Sequence, residues 1–374
     1  MTSCSSRSWD IFCTVIDNFG DIGVAWRLAR QLSREHGIAV RLWVDDLPSF
    51  ARIWPAVEVN REQQFCEGVE IRRWSGDIAV PELGEVVIEA FACTLPDSLI
   101  AAMASMDMPP RWINLEYLSA EAWVESCHGL PSPQPGGLQK YFFFPGFVES
   151  VGGLLREQAL FSQRDAVQAS THSRQQALRD LGIEWSGLGR VFSLFSYEQP
   201  QLSAWLEALS TGTEPILLLV PEGRVLSDVQ AWLACSADQG MRALQVKTIP
   251  FLLQTDYDRL LWACDFNAVR GEDSFVRAQW AAKPMVWHIY PQDENAHLEK
   301  LEAFLAHYVA GCPQAYADAV CAFWRAWNTG ENLVDAWHQW LLIGGLDAKQ
   351  PAIWSNLLAQ RADLAAGLVS FCRN

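Results

Sequence analysis

The sequence predicts an α/β protein of two domains, each built on a parallel sheet, and three observations carry that prediction. At 374 residues the chain exceeds the roughly 250 to 300 residues at which one hydrophobic core stops growing, so two cores are expected. Both halves alternate apolar runs of strand length with segments of helical periodicity, the βαβ pattern of a parallel sheet. The most densely charged turn, Arg270, Gly271, Glu272, Asp273 and Ser274, follows a strand-like run ending at Val269 and opens a helix-like one from Ser274, which is where α/β proteins hold phosphates.

Residues 9–16 form a largely apolar run of strand length. Val24, Ala25, Leu28, Ala29 and Leu32 then recur on one helical face until Gly37 stops it. Strands are expected at 39–44, 69–74, 85–91 and 111–115, with a helix at 95–106. Residues 131–153, rich in Pro, Gly and aromatics, lack helical period and read as a loop-rich wall near the cleft. A helix at 173–181 leads out of it. The second half repeats the pattern, with strands at 191–195, 215–220, 244–249, 266–269 and 285–289 and helices at 201–209, 227–235, 257–264 and 275–282. From Glu294 the chain reads as helix after helix, at 298–308, 315–327, 333–342 and 353–371. The expected domains are 1–165 and 170–349, two Rossmann-like halves facing a cleft, with the closing helix at about 350–374 returning to the first domain.

Half the residues are apolar and 18 are Trp, as suits a globular protein with aromatic-rich interiors. The formal net charge of -16 argues against a nucleic-acid binder, since that affinity comes largely from Lys and Arg neutralising phosphates. A basic protein partner fits better. The ten cysteines form no CxxC or other metal spacing and read as reduced core thiols. With no apolar leader near the start and no run approaching about 18 apolar residues, neither signal peptide nor membrane span is expected, and the protein should be cytoplasmic.

The loop from Ile16 to Gly23 joins the first strand to the first helix, at the sheet edge where ligands bind. Asp45 and Asp46 end the second strand where a ribose-binding acid would lie, yet G-x-G-x-x-G is absent and two aspartates in the loop would repel a pyrophosphate. Asp17 and Asp21, four residues apart at this edge, suit binding a cation or moving a proton. The plainer alternative is an Asx turn at Asp17 and a helix cap at Asp21. The turn after Val269 has the opposite character. Gly271 permits close backbone approach, Ser274 can cap the helix, and the amides of the helix start with Arg270 suit a diphosphate. Glu272 and Asp273 would accept hydrogen bonds from sugar or ribose hydroxyls; the alternative is a turn salt-bridged to Arg277. Phe195, Tyr197 and Phe251, just past strand ends, could stack a base, though aromatics there are commonly packing. His288, His297 and His307 have no metal-ligand spacing and read as packed or solvated residues.

With Asp17 to Gly23, Leu115 to Glu121, Arg270 to Gln279 and Trp287 to Glu294 in hand, the chain closely resembles the EarP family of bacterial protein-arginine rhamnosyltransferases that mature elongation factor P. The likeness runs in order from about Trp9 to beyond Glu294; after about Tyr308 only helical character matches. The resemblance implies a GT-B glycosyltransferase architecture with an inverting mechanism and no metal or other cofactor. It further implies dTDP-β-L-rhamnose as donor on the second domain and an arginine of elongation factor P as acceptor on the first. Donor-binding positions then fall on Phe195, Tyr197, Phe251, Gln254, Arg270, Glu272, Asp273, Ser274 and Tyr290, and catalytic aspartates on Asp17 and Asp21.

A guanidinium stays protonated, with a pKa above about 12, so an ordinary aspartate cannot deprotonate it outright. Asp21 as base and Asp17 as orienting partner could hold it by charge-assisted hydrogen bonds and accept its proton as the new bond forms. Two rival classes are a glycosyltransferase or sugar-nucleotide hydrolase acting on small molecules, and a non-enzymatic binder of a translation factor. The second would not explain the Arg270 to Ser274 turn.

Overall fold

The computed structural model describes residues 7–16, 19–75, 82–91, 93–236 and 243–373. The chain divides into two compact units, residues 1–158 with 359–374, and residues 159–358.

The first unit runs β1 (Ser8–Cys13), α1 (Gly20–His36), β2 (Ala39–Val44), α2 (Leu47–Ile53), β3 (Gln63–Cys66), β4 (Val69–Arg73), β5 (Val86–Ala90), α3 (Asp97–Ala104), β6 (Arg111–Leu115), α4 (Trp123–Cys127), β7 (Pro131–Pro133) and β8 (Gln139–Phe143). One eight-stranded sheet results, in the order β3-β4-β2-β1-β5-β6-β8-β7. It is parallel except at its edges, where β3 and β7 run antiparallel to β4 and β8. β5 is buried at every residue and β1 at all but its first, as a strand covered on both faces must be. A charge inside such a strand needs compensation. Asp10, fully buried in β1, accepts hydrogen bonds from Arg41 Nη2 at 2.7 Å, Trp43 Nε1 at 2.8 Å and the Gly84 amide at 2.7 Å.

Two sequence expectations change here. Residues 131–153, read as loop, include β7 and β8, which extend the sheet; β8 pairs in parallel with β6 from Trp112↔Lys140 to Leu115↔Phe143. Its Tyr-Phe-Phe run is strand chemistry that the surrounding Pro and Gly obscured. The helix expected at 353–371 is two helices, the second spanning Leu364–Arg373. Asp363 starts it by accepting from the Ala366 amide at 3.0 Å, and Arg156 donates to the carbonyls of Ala359 at 2.7 Å and Arg361 at 3.1 Å. Neither Gly nor Pro marks this break; a distant arginine holds the freed carbonyls. Phe371 packs edge-on against Tyr141 and Phe143 of β8, ring centroids 5.7 and 5.6 Å away.

The second unit runs α5 (Leu160–Gln168), α6 (Thr171–Asp180), β9 (Arg190–Leu194), α7 (Leu202–Ser210), β10 (Ile216–Pro221), α8 (Leu226–Ser236), β11 (Leu244–Ile249), α9 (Gln254–Ala263), β12 (Phe266–Arg270), α10 (Asp273–Ala281), β13 (Met285–His288), α11 (Ala296–Tyr308), α12 (Gln314–Thr329), α13 (Leu333–Leu342) and α14 (Gln350–Ala359). Its sheet is parallel throughout, in the order β11-β10-β9-β12-β13. The later helices dock through aromatics. The Trp337 ring lies 5.3 to 5.6 Å from those of Phe323, Phe266 and Trp205. Phe304 meets Trp324 at 5.5 Å and Phe275 at 4.7 Å. Much of the tryptophan content thus cements helices to this sheet, each ring burying a large apolar area.

Candidate active site

In the first unit the chain leaves β1 for β2 on one side and returns to β5 on the other, so the carboxyl ends of β1 and β5 flank a topological switch point, the usual place for ligands in an open parallel sheet. Asp21 sits there, 3 % exposed, and its Oδ2 accepts from the Ile16 amide at 3.0 Å. It does not cap α1: the capping position is Phe19, which makes no side-chain cap bond. From the first turn the carboxylate instead reaches back to the strand end, where the helix dipole favours its charge. That charge adds to burial in raising the Cys13 thiol well above its ordinary value. Asp17, the other catalytic candidate, lies outside the described residues.

The acids after β2 have structural partners. Asp45 accepts from the Val15 amide at 3.0 Å, and Asp46 caps α2 through the Ser49 amide at 3.0 Å. At the same edge, past β5, Phe91 holds φ +61°, a strained conformation for a residue with a Cβ. Its ring stacks on Tyr117 at 5.0 Å. Next to Tyr117, Glu116 is raised above the ordinary carboxylate range by burial, against the pull of a hydrogen bond from Asn114 and the charge of Lys140. Sequence reasoning gave these three residues no role, although Glu116 and Tyr117 fall in a motif that carried the family resemblance.

In the second unit the switch point lies between β9 and β12. Their register, Asn267↔Ser193 and Ala268↔Leu194, sets the residues after Leu194 beside the end of β12. The Arg270 guanidinium accordingly stands over the rings of Phe195 and Tyr197, at 4.6 and 4.7 Å. Gly271 takes φ +67° with nothing within 4 Å of where a Cβ would stand, so the turn is open as well as left-handed. α10 begins at Asp273 and its capping position is Glu272, whose side chain makes no cap bond. Ser274, expected to cap the helix, lies instead within its first turn. Gln254 opens α9 and its Nε2 makes a long 3.4 Å contact with Asp273 Oδ2, joining two helix starts. Phe251 lies two residues past β11. Arg277 forms a buried two-point pair with Asp258, at 3.0 and 2.8 Å.

The supporting residues act through distant neighbours, and of them only His288 was singled out in the sequence, as packed or solvated. Trp287 stacks on Phe275 at 3.9 Å and donates from Nε1 to the Gly271 carbonyl at 2.9 Å, fixing the turn from below. Partly buried Tyr257 meets Phe195 edge-on at 5.7 Å. His288 is buried, shares a 2.7 Å hydrogen bond with Ser196 Oγ through Nδ1 and meets Tyr197 edge-on at 5.4 Å. Burial first, then the charges of Arg270 and His297, lowers it to about 4. Tyr290, half exposed, is also edge-on to Tyr197, at 5.6 Å. Every donor-site candidate thus lies at or just past the carboxyl edge of this sheet. Among the described residues no group of three His, Cys, Asp or Glu could hold a metal ion.

Comparison with known proteins places the chain in a family. The family model for the elongation-factor P (EF-P) rhamnosyltransferase EarP matches residues 9–373. The chain belongs to the EarP family. The protein-arginine rhamnosyltransferase of Pseudomonas putida is 52% identical over 372 residues, spanning 98% of this chain and 99% of the relative. That of Pseudomonas aeruginosa is 53% identical over 375 residues, spanning 97% and 98%. A solved EarP structure, described as the structural basis for EarP-mediated arginine glycosylation of translation elongation factor EF-P, superposes with a TM-score of 0.69 at 39% identity and covers 99% of both chains. This EarP-family chain is an enzyme, a glycosyltransferase of GT-B fold with a Rossmann-like sheet in each unit.

Proposed function

We propose that this EarP-family enzyme transfers L-rhamnose from dTDP-β-L-rhamnose to an arginine side chain of elongation factor P and thereby activates that factor. The relatives' shared protein-arginine rhamnosyltransferase activity supports the reaction class; the family's substrate supports the acceptor. The observation that carries the donor assignment is the Arg270 guanidinium stacked over Phe195 and Tyr197 beside the open Gly271 turn. A diphosphate needs a cation and backbone amides without side-chain obstruction, and this edge offers both. Phe195, Tyr197, Phe251 and Tyr290 offer faces for the base, and Gln254, Glu272, Asp273 and Ser274 offer partners for ribose and sugar hydroxyls.

In this reading the first unit handles the acceptor. Asp17 and Asp21 orient the guanidinium, one nitrogen attacks the anomeric carbon, and the bond from that carbon to the diphosphate oxygen breaks with inversion. Asp21 takes the proton released by the nitrogen, and dTDP leaves with the bonding pair. Arg270 and the α10 start balance the charge on dTDP, the role a metal plays in other enzymes. The proposed setting is the cytoplasm, where the factor is made; among the described residues no helix is long and apolar enough to cross a membrane.

The test is the intact mass of purified elongation factor P after incubation with this enzyme and dTDP-L-rhamnose, followed by peptide mapping. A deoxyhexose-sized gain on one arginine is expected. No gain from a folded enzyme that still binds dTDP would refute the acceptor while leaving the donor site standing.

A further inference from the structure

β13 is the edge strand of the second sheet, so its outer amides and carbonyls need partners that no further strand supplies. Asn328, in the last turn of α12, supplies them with its side chain. Its Oδ1 accepts from the Ile289 amide at 2.9 Å, and its Nδ2 donates to the Trp287 carbonyl at 2.8 Å. A residue on a neighbouring parallel strand would bracket His288 in this same way, donating to the residue before it and accepting from the residue after it. Nδ2 also donates to the Trp324 carbonyl of α12 at 2.8 Å, which ties the amide to its own helix. The orientation follows from the network: turned over, the amide would set its oxygen against two carbonyls and its nitrogen against an N–H.

The bracketed stretch leads straight into the donor-site candidates. His288 and Tyr290 both meet the Tyr197 ring edge-on, at 5.4 and 5.6 Å. Tyr290 is the residue after Ile289, so its approach to Tyr197 depends on where the strand end stops. We infer that Asn328 is a positioning residue for the donor site, holding the end of β13 so that Tyr290 stands against Tyr197. The inference rests on the reading that Tyr290 and Tyr197 bind the donor. Asn328→Ala returns the Trp287 carbonyl and Ile289 amide to water. Asn328→Asp keeps an acceptor for Ile289 but sets a carboxylate oxygen against two carbonyls, a harsher change at constant shape.

The experiment is a double-mutant cycle on the full-length enzyme, with dTDP affinity read by calorimetry, donor KM and kcat read by turnover, and folding checked by thermal melting. Asn328→Ala is expected to weaken dTDP about tenfold and raise donor KM in step, with kcat nearly unchanged, because contacts to the donor and not the proton transfer are disturbed. In a Tyr290→Ala background the same change should cost less than about twofold, since residues acting through one another are not additive. Full multiplication of the two losses, or unchanged affinity in a folded Asn328→Ala protein, overturns the inference and leaves the donor site intact. Should Tyr290→Ala alone leave dTDP affinity untouched, the donor role of Tyr290 fails and the inference with it. The Asn328→Asp variant runs through the same cycle if the alanine variant does not fold.

Discussion

At the scale of single residues, Asp21 is the sharpest case. One carboxylate oxygen already accepts from the Ile16 amide, a bond an asparagine carbonyl can keep, so Asp21→Asn preserves the loop while removing the negative charge and the proton-accepting oxygen. Turnover should fall by about 10²- to 10⁴-fold, the usual loss for a general base, with dTDP affinity unchanged because the donor-site candidates lie in the other unit. Stopped or steady-state kinetics beside calorimetry check it; a variant that turns over normally removes Asp21 from the chemistry. His288 gives a second test. Its folded value of about 4 lies below the ordinary 6.5, so between those values the unfolded chain binds more protons and stability falls as pH drops through the window. Thermal melts of the native enzyme and His288→Asn should converge as pH falls from 6.5 towards 4. Arg270 and His297 are the charges that face this imidazole and stay in both proteins. Asp21 was legible as a candidate because two acids in a strand-to-helix loop are locally conspicuous. The state of His288 was not, because its burial and its Ser196 bond arise from residues 92 positions apart.

At the scale of elements, the turn from β12 into α10 combines a left-handed glycine with a helix start. Gly271→Ala meets no neighbour, so its cost is conformational, about 1 to 2 kcal/mol for a residue with a Cβ forced into the left-handed region. Gly37, at φ +65° and equally unobstructed, ends α1 in the other unit and serves as the control. Both alanine variants should melt at lower temperature, and only Gly271→Ala should weaken dTDP. Equal dTDP affinity in the two would show that the turn does not approach the diphosphate. Most strands and helices were readable because apolar alternation and 3.6-residue periodicity are local signals. β8 was hidden by its Pro- and Gly-rich flanks, and the break before Leu364 by the absence of any breaker residue; Arg156 and Asp363 make it through contacts that periodicity does not record.

At the scale of the whole molecule, each unit has its own sheet and core, and the second is closed by an aromatic lattice. Trp337 is 1 % exposed with aromatic neighbours on several elements, so Trp337→Ala should destabilise by about 3 to 5 kcal/mol, the range for deleting a buried large aromatic. Thermal or denaturant melts check it, and a loss under about 1 kcal/mol would mean the site collapses to fill the void. Charge balance makes another prediction. On the proposed donor assignment Arg270 and the α10 amides face the leaving diphosphate, and turnover should then survive treatment with EDTA; a loss restored by added divalent ions would assign that role to a metal. The sequence by itself determined the α/β class, the two sheets, the acidic loop after β1 and the Arg270 to Ser274 turn, because strand length, helical period and turn chemistry are written in neighbouring residues. Only the tertiary structure decided that Asp10 is paired inside β1, that Arg270 stacks on Phe195 and Tyr197, that Asp45 and Asp46 serve the backbone, and that Asn328 finishes an edge strand. Those outcomes depend on which sheet edges and helices meet, and partners far apart in the chain leave no local pattern.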